Sequence, residues 1–195
     1  MLVIISCPRA VDAAIAAAPY DNLITNRLIN NCTMEKVKHS NNFSKLAVVL
    51  AVTFLAGGIG SLATSASVDT WYAGLMLPDL APPNWLFAPV WIALYVAMSV
   101  AGWLVWRKGR KTEYVTLSII VYLVQLGLNS LWSVLFFGLE SPALGLVGIG
   151  ALWLTVLAMI AIFAKVSKPA ALILVPYLAW VSFAGYLNYE IWLLN

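Results

Sequence analysis

The sequence predicts an all-α integral membrane fold: five transmembrane helices in a bundle, with a Pro- and Trp-rich lid loop between the first and second. Three observations predict it. Of 195 residues, 63% are hydrophobic and only 10% charged, against about 25% charged in an ordinary soluble domain. Five apolar runs, roughly 46–66, 87–106, 115–137, 143–163 and 170–194, each approach the ~20 residues that a helix needs to cross ~30 Å of hydrocarbon. The short connections after the first favour antiparallel neighbours in a compact bundle.

Ahead of the first run, residues 1–33 have an apolar start with no basic residue before it, a poor secretory signal. Met34 then opens MEKVKHSNNFSK, an ordinary basic lead-in to a span. We expect residues 1–40 to be an extension outside the fold, disordered or removed at least to residue 33, and residues 41–195 to form the membrane domain. Cys7, Cys32 and His39 all precede the first span, so no disulfide or metal site is expected among the spans.

Gly57, Gly58, Gly60 and Ser61 give the first span a small-residue face for close helix contact. The stretch Trp71–Tyr95 is too broken by Pro78, Pro82, Pro83 and Pro89 to be one helix. Its aromatics, among them Trp71, Tyr72, Trp85, Phe87, Trp91 and Tyr95, make it a lid or an interfacial belt. Pro142 suits the first turn of the fourth span, where a missing N–H costs little, and Pro176 should kink the fifth.

Charge predicts orientation. Lys and Arg fall before the first span, in the loop around 107–111, and at Lys165 and Lys168; Asp69, Asp79, Glu140 and Glu190 fall on the opposite side. The positive-inside rule then places the N-terminus in the cytoplasm and the lid outside. The net charge of +3 argues for no nucleic-acid partner.

No ionisable side chain lies mid-span, which argues against ion coupling, a Schiff-base lysine, and a strong axial haem ligand. The one His, His39, lies before the first span, so no Ser-His-Asp set can be assembled among the spans. What the spans hold instead is neutral polar groups and aromatics on shared faces: Tyr122, Gln125, Asn129, Trp132, Ser133 and Phe136 in the third; Tyr177, Trp180, Ala184, Leu187 and Asn188 in the fifth; Trp91, Tyr95 and Met98 in the second. Buried amides in lipid need partners, so Gln125 and Asn129 face either a ligand or neighbouring helices as polar glue. Small Ala184 beside Trp180 leaves room against an aromatic wall for a flat hydrophobic ligand.

From Leu46 onward the chain resembles the tryptophan-rich sensory protein family, TspO, also called translocator protein or peripheral-type benzodiazepine receptor. The motifs are WYAGLMLPDLAPP at Trp71–Pro83, APVWIALY at Ala88–Tyr95, QLGLNSLWSVLFFG at Gln125–Gly138 and PYLAWVSFAGYLN at Pro176–Asn188. The resemblance implies a five-helix bundle, often a homodimer, with a ligand cavity beneath the first loop and no obligatory cofactor. The implied ligands are porphyrins and haem, sterols and synthetic drugs. By motif the expected cavity wall is Tyr72, Trp91, Asn129, Trp132, Trp180, Ala184 and Leu187; with Tyr95 and Gln125 from the helix stripes, these make up the expected ligand-binding set. Trp91 and Trp180 match the two tryptophans through which some bacterial members are reported to degrade porphyrin in light.

The chain departs from the pattern at Leu80, where many members carry Trp, at Leu144, where animal members carry a Trp that contacts drugs, and after Tyr189, where the sterol pattern wants a basic residue and Glu190, Ile191 and Trp192 follow. The function so implied is a membrane protein that senses, sequesters or moves tetrapyrroles, with stress-linked regulation. The alternatives are a light-dependent porphyrin-degrading activity and a sterol or lipid carrier.

Overall fold

The computed structural model describes residues 22–109 and 113–195, with side chains described from 42 to 109 and from 114 to 195. Its helices are α1 (Asn22–Ser67), α2 (Asn84–Trp106), α3 (Glu113–Ser133), α4 (Pro142–Val166), α5 (Lys168–Ile173) and α6 (Val175–Leu194). A 3₁₀ turn occupies Tyr72–Gly74, and a π-helical turn, Val134–Gly138, extends α3. By contacts the chain divides into Met1–Ser44 and Lys45–Asn195. Of the first unit, only helix from Asn22 is described. Helix is described from residue 22 onward; the part of the expectation that concerns residues 1–21 lies outside the described residues.

The five expected spans are present: Asn42–Ser67, Asn84–Trp106, Tyr114–Gly138, Pro142–Val166 and Lys168–Leu194 are each long and apolar enough to cross a membrane. No strand occurs among the described residues. Local chemistry sets the boundaries. Pro142 begins α4, and the Ser141 hydroxyl accepts from Leu144 N at 3.3 Å, satisfying one of the free N-terminal donors. Pro176 acts more strongly than a kink. The fifth span is two helices, with Leu174 between them and Pro176 in the first turn of α6, where its absent N–H breaks no bond. Pro89, by contrast, sits inside α2, close enough to its start that the turn it weakens lies at the lid end.

The π turn was not legible in the sequence. Leu139 N reaches back to Val134 O at 2.8 Å, one residue beyond the α pattern. Successive α-helical side chains diverge by about 100°; the widened turn lets neighbours Phe136 and Phe137 face the same space.

The core is apolar and tightly filled. Met98, Leu152, Val156, Met159, Phe163, Leu174 and Tyr177 are fully buried. Close approach is made at two glycines. A Cβ on Gly57 would stand 2.5 Å from the Tyr95 ring, and one on Gly145 would stand 2.6 Å from Asn188 Oδ1 and 2.7 Å from Phe136 Cδ2. Gly57 thus serves the helix contact expected of it, whereas a Cβ on Gly58 would meet nothing within 4 Å. Gly145→Ala should lower unfolding stability by roughly 1–3 kcal/mol through overpacking. Gly150→Ala, where a Cβ also meets nothing within 4 Å, should be neutral or stabilising by up to about 1 kcal/mol. Thermal unfolding in one detergent compares the two; equal effects would contradict this account of Gly145.

Candidate ligand cavity

One cavity of about 570 Å³ lies beneath the lid end of the second unit. α1 supplies a wall of small residues, chiefly Gly57, Gly58, Gly60, Ser61, Thr64 and Ser65. Facing it are aromatics: Trp91 and Tyr95 from α2, Trp132, Phe136 and Phe137 from α3 and its π turn. Ala184, Leu187, Asn188 and Ile191 close the α6 side, and α4 contributes no lining residue. Leu144, where relatives of the expected pattern carry Trp, is accordingly outside the lining.

The aromatic wall is continuous. The Trp91 ring lies 5.6 Å from Tyr95 and 6.5 Å from Trp132, both at 32°, and Trp132 stacks on Phe136 at 5.8 Å and 25°. Trp132 is held by its N–H, which donates to Asn188 Oδ1 at 3.2 Å; the Asn188 amide in turn donates to Pro142 O at 2.8 Å. The sequence therefore placed Asn188 on the right face, and tertiary contact makes it the bracket for Trp132.

Beneath this wall runs a buried polar chain. Tyr95 OH donates to Asn129 Oδ1 (2.9 Å), Asn129 Nδ2 donates to Tyr177 OH (3.3 Å), Tyr177 OH donates to Gln125 Oε1 (2.9 Å), and Gln125 Nε2 reaches Met98 Sδ (3.7 Å). Each amide end is engaged across helices, as apolar surroundings require.

These contacts place the expected residues. Tyr72, Trp91, Tyr95, Asn129, Trp132, Ala184 and Leu187 line the cavity; Gln125 and Trp180 do not. Gln125 is fully buried, one helical turn from Asn129, and its amide bonds Tyr177 and Met98 on neighbouring helices, which is the geometry of helix glue. Trp180 meets Phe87 edge-on at 6.0 Å and Phe183 at 5.7 Å. Phe87 lines the cavity, which leaves Trp180 one ring behind the wall, its indole N–H buried without a hydrogen-bond partner. Asn129 answers to both readings: it lines the cavity and ties three helices together. The lining residues that sequence reasoning missed are those of α1, together with Val68, Ala88, Ile92, Phe137 and Ile191. The small-residue pattern of α1 was visible, but it was assigned to helix contact.

The lid contributes Tyr72, packed against Phe137 at 5.5 Å and Phe136 at 6.3 Å. Burial pushes its phenol above the ordinary value, so it stays protonated and able to donate. Trp71 caps Phe136 from outside at 5.5 Å. Trp85 and Leu80 point outward, 72% and 64% exposed, as anchors at a membrane surface rather than packing groups. Farther along, Met76 N donates to Asn195 Oδ1 at 3.0 Å and Asn195 Nδ2 returns a bond to Met76 O at 3.1 Å. These exposed bonds are worth roughly 0.5–1 kcal/mol. Asn195→Ala should therefore speed dissociation of a cavity ligand about two- to fivefold; an unchanged off-rate would show that this end of the loop does not gate the cavity.

A multi-pass membrane protein with an aromatic, uncharged cavity under a proline-rich lid is thus the class that fold and site define. Residues 47–193 match the TspO/MBR family, and the chain belongs to that family. It is 43% identical over 150 residues to the tryptophan-rich protein TspO of Chlorobaculum tepidum, covering 77% of this chain and 95% of the relative. It is 40% identical over 123 residues to the translocator protein of Homo sapiens (63% and 73%). It is 36% identical over 149 residues to the tryptophan-rich sensory protein of Cereibacter sphaeroides (75% and 91%).

Proposed function

We propose that this protein binds flat tetrapyrroles, porphyrin or haem, within the membrane and acts in their sensing, sequestration or translocation. The observation that carries this reading is the continuous ring surface of Trp91, Trp132 and Phe136 facing a wall of small α1 residues across a cavity of about 570 Å³. That volume is within the roughly 300–1,000 Å³ of ligand sites, and a gap between ring faces and Cβ-poor backbone suits a plate. The lining holds no His or Cys, so a haem would be held chiefly by its faces and edge, with Tyr72 and Tyr95 the lining side chains able to meet its iron. Tyr72 and Asn84, at the lid end of the lining, are the donors we assign to the ligand's carboxylates. A homodimer is part of the proposal, supported by the family resemblance.

The test is titration of the detergent-solubilised protein with protoporphyrin in the dark. A saturable, single-site shift of the main porphyrin absorption band with quenching of tryptophan fluorescence is expected. Uptake that rises linearly, as into empty micelles, would sink the reading; displacement by sterol at the same site would favour the carrier alternative.

We further propose that the lid faces away from the cytoplasm, since Arg107, Lys108, Lys165 and Lys168 lie at the other ends of the spans. In a chain with Cys7 and Cys32 replaced by Ser, Ala73→Cys and Lys108→Cys, both exposed, should label from opposite sides of sealed vesicles. Labelling from one side would refute the topology.

A further inference from the structure

A second space of about 240 Å³ lies at the basic end of the spans, away from the lid. Its lining includes Val48 and Val52 of α1, Trp106 of α2, Ser118 and Leu123 of α3, and Phe163 of α4. Tyr122 stacks on Phe163 at 6.4 Å and 19° to form its back. The polar atoms here are already used. Tyr122 OH is bonded to Thr53 Oγ1, Thr53 Oγ1 donates to Val49 O at 2.7 Å, and Ser118 Oγ donates to Tyr114 O at 2.6 Å. What remains for an occupant is apolar surface, in a volume below the roughly 300 Å³ of typical ligand pockets, which suits a chain better than a plate. The space opens sideways, because Val48, Val52 and Leu123 are 48%, 36% and 51% exposed.

Its mouth is cationic. Lys45 lies about one turn before Val48 and Val49, with Nζ 5.9 Å from the centre of the Trp106 ring that lines the groove. Arg107 follows directly, its guanidinium 4.8 Å over Trp103. The carboxylates Asp69, Asp79, Glu140 and Glu190 belong to the other ends of the spans, and at this end Glu113 opens α3, outnumbered by Arg107, Lys108, Lys165 and Lys168. An apolar slot open to lipid with cations at its rim is complementary to a molecule with an aliphatic tail and an anionic head.

We propose that this groove is a binding site for one acyl chain of an anionic glycerophospholipid, whose phosphate is held by Lys45 and Arg107. The site is separate from the ligand cavity and does not depend on what that cavity binds.

Native mass spectrometry of the purified protein in mixed micelles with equal phosphatidylglycerol and phosphatidylcholine tests it. The unaltered chain should retain phosphatidylglycerol several times more than phosphatidylcholine. Lys45→Gln should lower that preference about fivefold. Val52→Phe, which fills the groove from its exposed rim, should lose both lipids while circular dichroism and porphyrin titration stay unchanged. A readout that needs no folding comparison uses phosphatidylglycerol with brominated chains in nanodiscs. It should quench fluorescence more than brominated phosphatidylcholine, and Trp106→Phe should remove the excess. Equal retention of the two lipids by the unaltered chain would overturn the proposal. So would phosphatidylglycerol retained by Val52→Phe, or lipid adducts found only on a dimer of the chain.

Discussion

Trp91→Ala should weaken protoporphyrin binding about 30-fold, near 2 kcal/mol, as expected for an aromatic anchor at the centre of a contact. Trp180→Phe should change it less than about threefold, because the wall it supports keeps an aromatic ring behind Phe87. The difference follows from position. Trp91 is the middle ring of the wall, touching Tyr95, Trp132 and Tyr177, and its removal opens the face a plate would stack on. Trp180 is outside the lining and meets it at Phe87. Dark titration of the two variants against the unaltered chain measures both effects, and equal losses would place Trp180 in the ligand's contact surface. The same pair examines the light-dependent alternative: if porphyrin bleaches under illumination and Trp91→Phe alone stops it, the cavity-lining indole is the redox partner. Bleaching that continues unchanged in both Phe variants would remove tryptophan from that chemistry.

Asn129→Leu should lower unfolding stability by about 1–2 kcal/mol and change porphyrin affinity by no more than about threefold. Leu keeps the volume but removes two bonds: it strands the Tyr95 hydroxyl and takes a donor from Tyr177, whose own O–H still donates to Gln125. In water-soluble cores each stranded group costs roughly 1–3 kcal/mol, but cross-helix bonds in membranes average nearer 0.6 kcal/mol; two bonds together bring the lower range. The ligand loses little because both ends of the amide are already committed within the bundle. Denaturant unfolding and dark titration of the same preparation separate the terms. A large affinity loss at unchanged stability would make Asn129 a direct ligand donor.

Much of this protein was legible in its residues. Hydropathy and length determined the five spans, because crossing hydrocarbon demands a long apolar run whatever the helix touches. Proline chemistry determined the start of α4 and an interruption of the fifth span near Pro176, read as a kink and found as a break, since a missing N–H and a fixed φ act locally. Helical periodicity put Asn129, Trp132 and Phe136 on one face, and the family motifs added Tyr72, Trp91, Ala184 and Leu187 to the expected cavity.

Tertiary structure alone decided depth and partnership. Gln125 and Asn129 share a stripe one turn apart, yet one is sealed below the floor and the other reaches the cavity. Trp180 and Ala184 share a face four residues apart, yet Phe87 from another helix stands before one of them. The α1 glycines divide likewise: Gly57 is pressed against Tyr95 and Gly58 faces open space. Periodicity reports only the direction in which a side chain leaves its own helix. What it meets there is set by the neighbouring helix, whose offset and rotation follow from side-chain packing across the whole bundle. The π turn that brings Phe136 and Phe137 to one surface belongs to the same category, because it is a single extra residue in a hydrogen-bond pattern that leaves the apolar sequence unchanged.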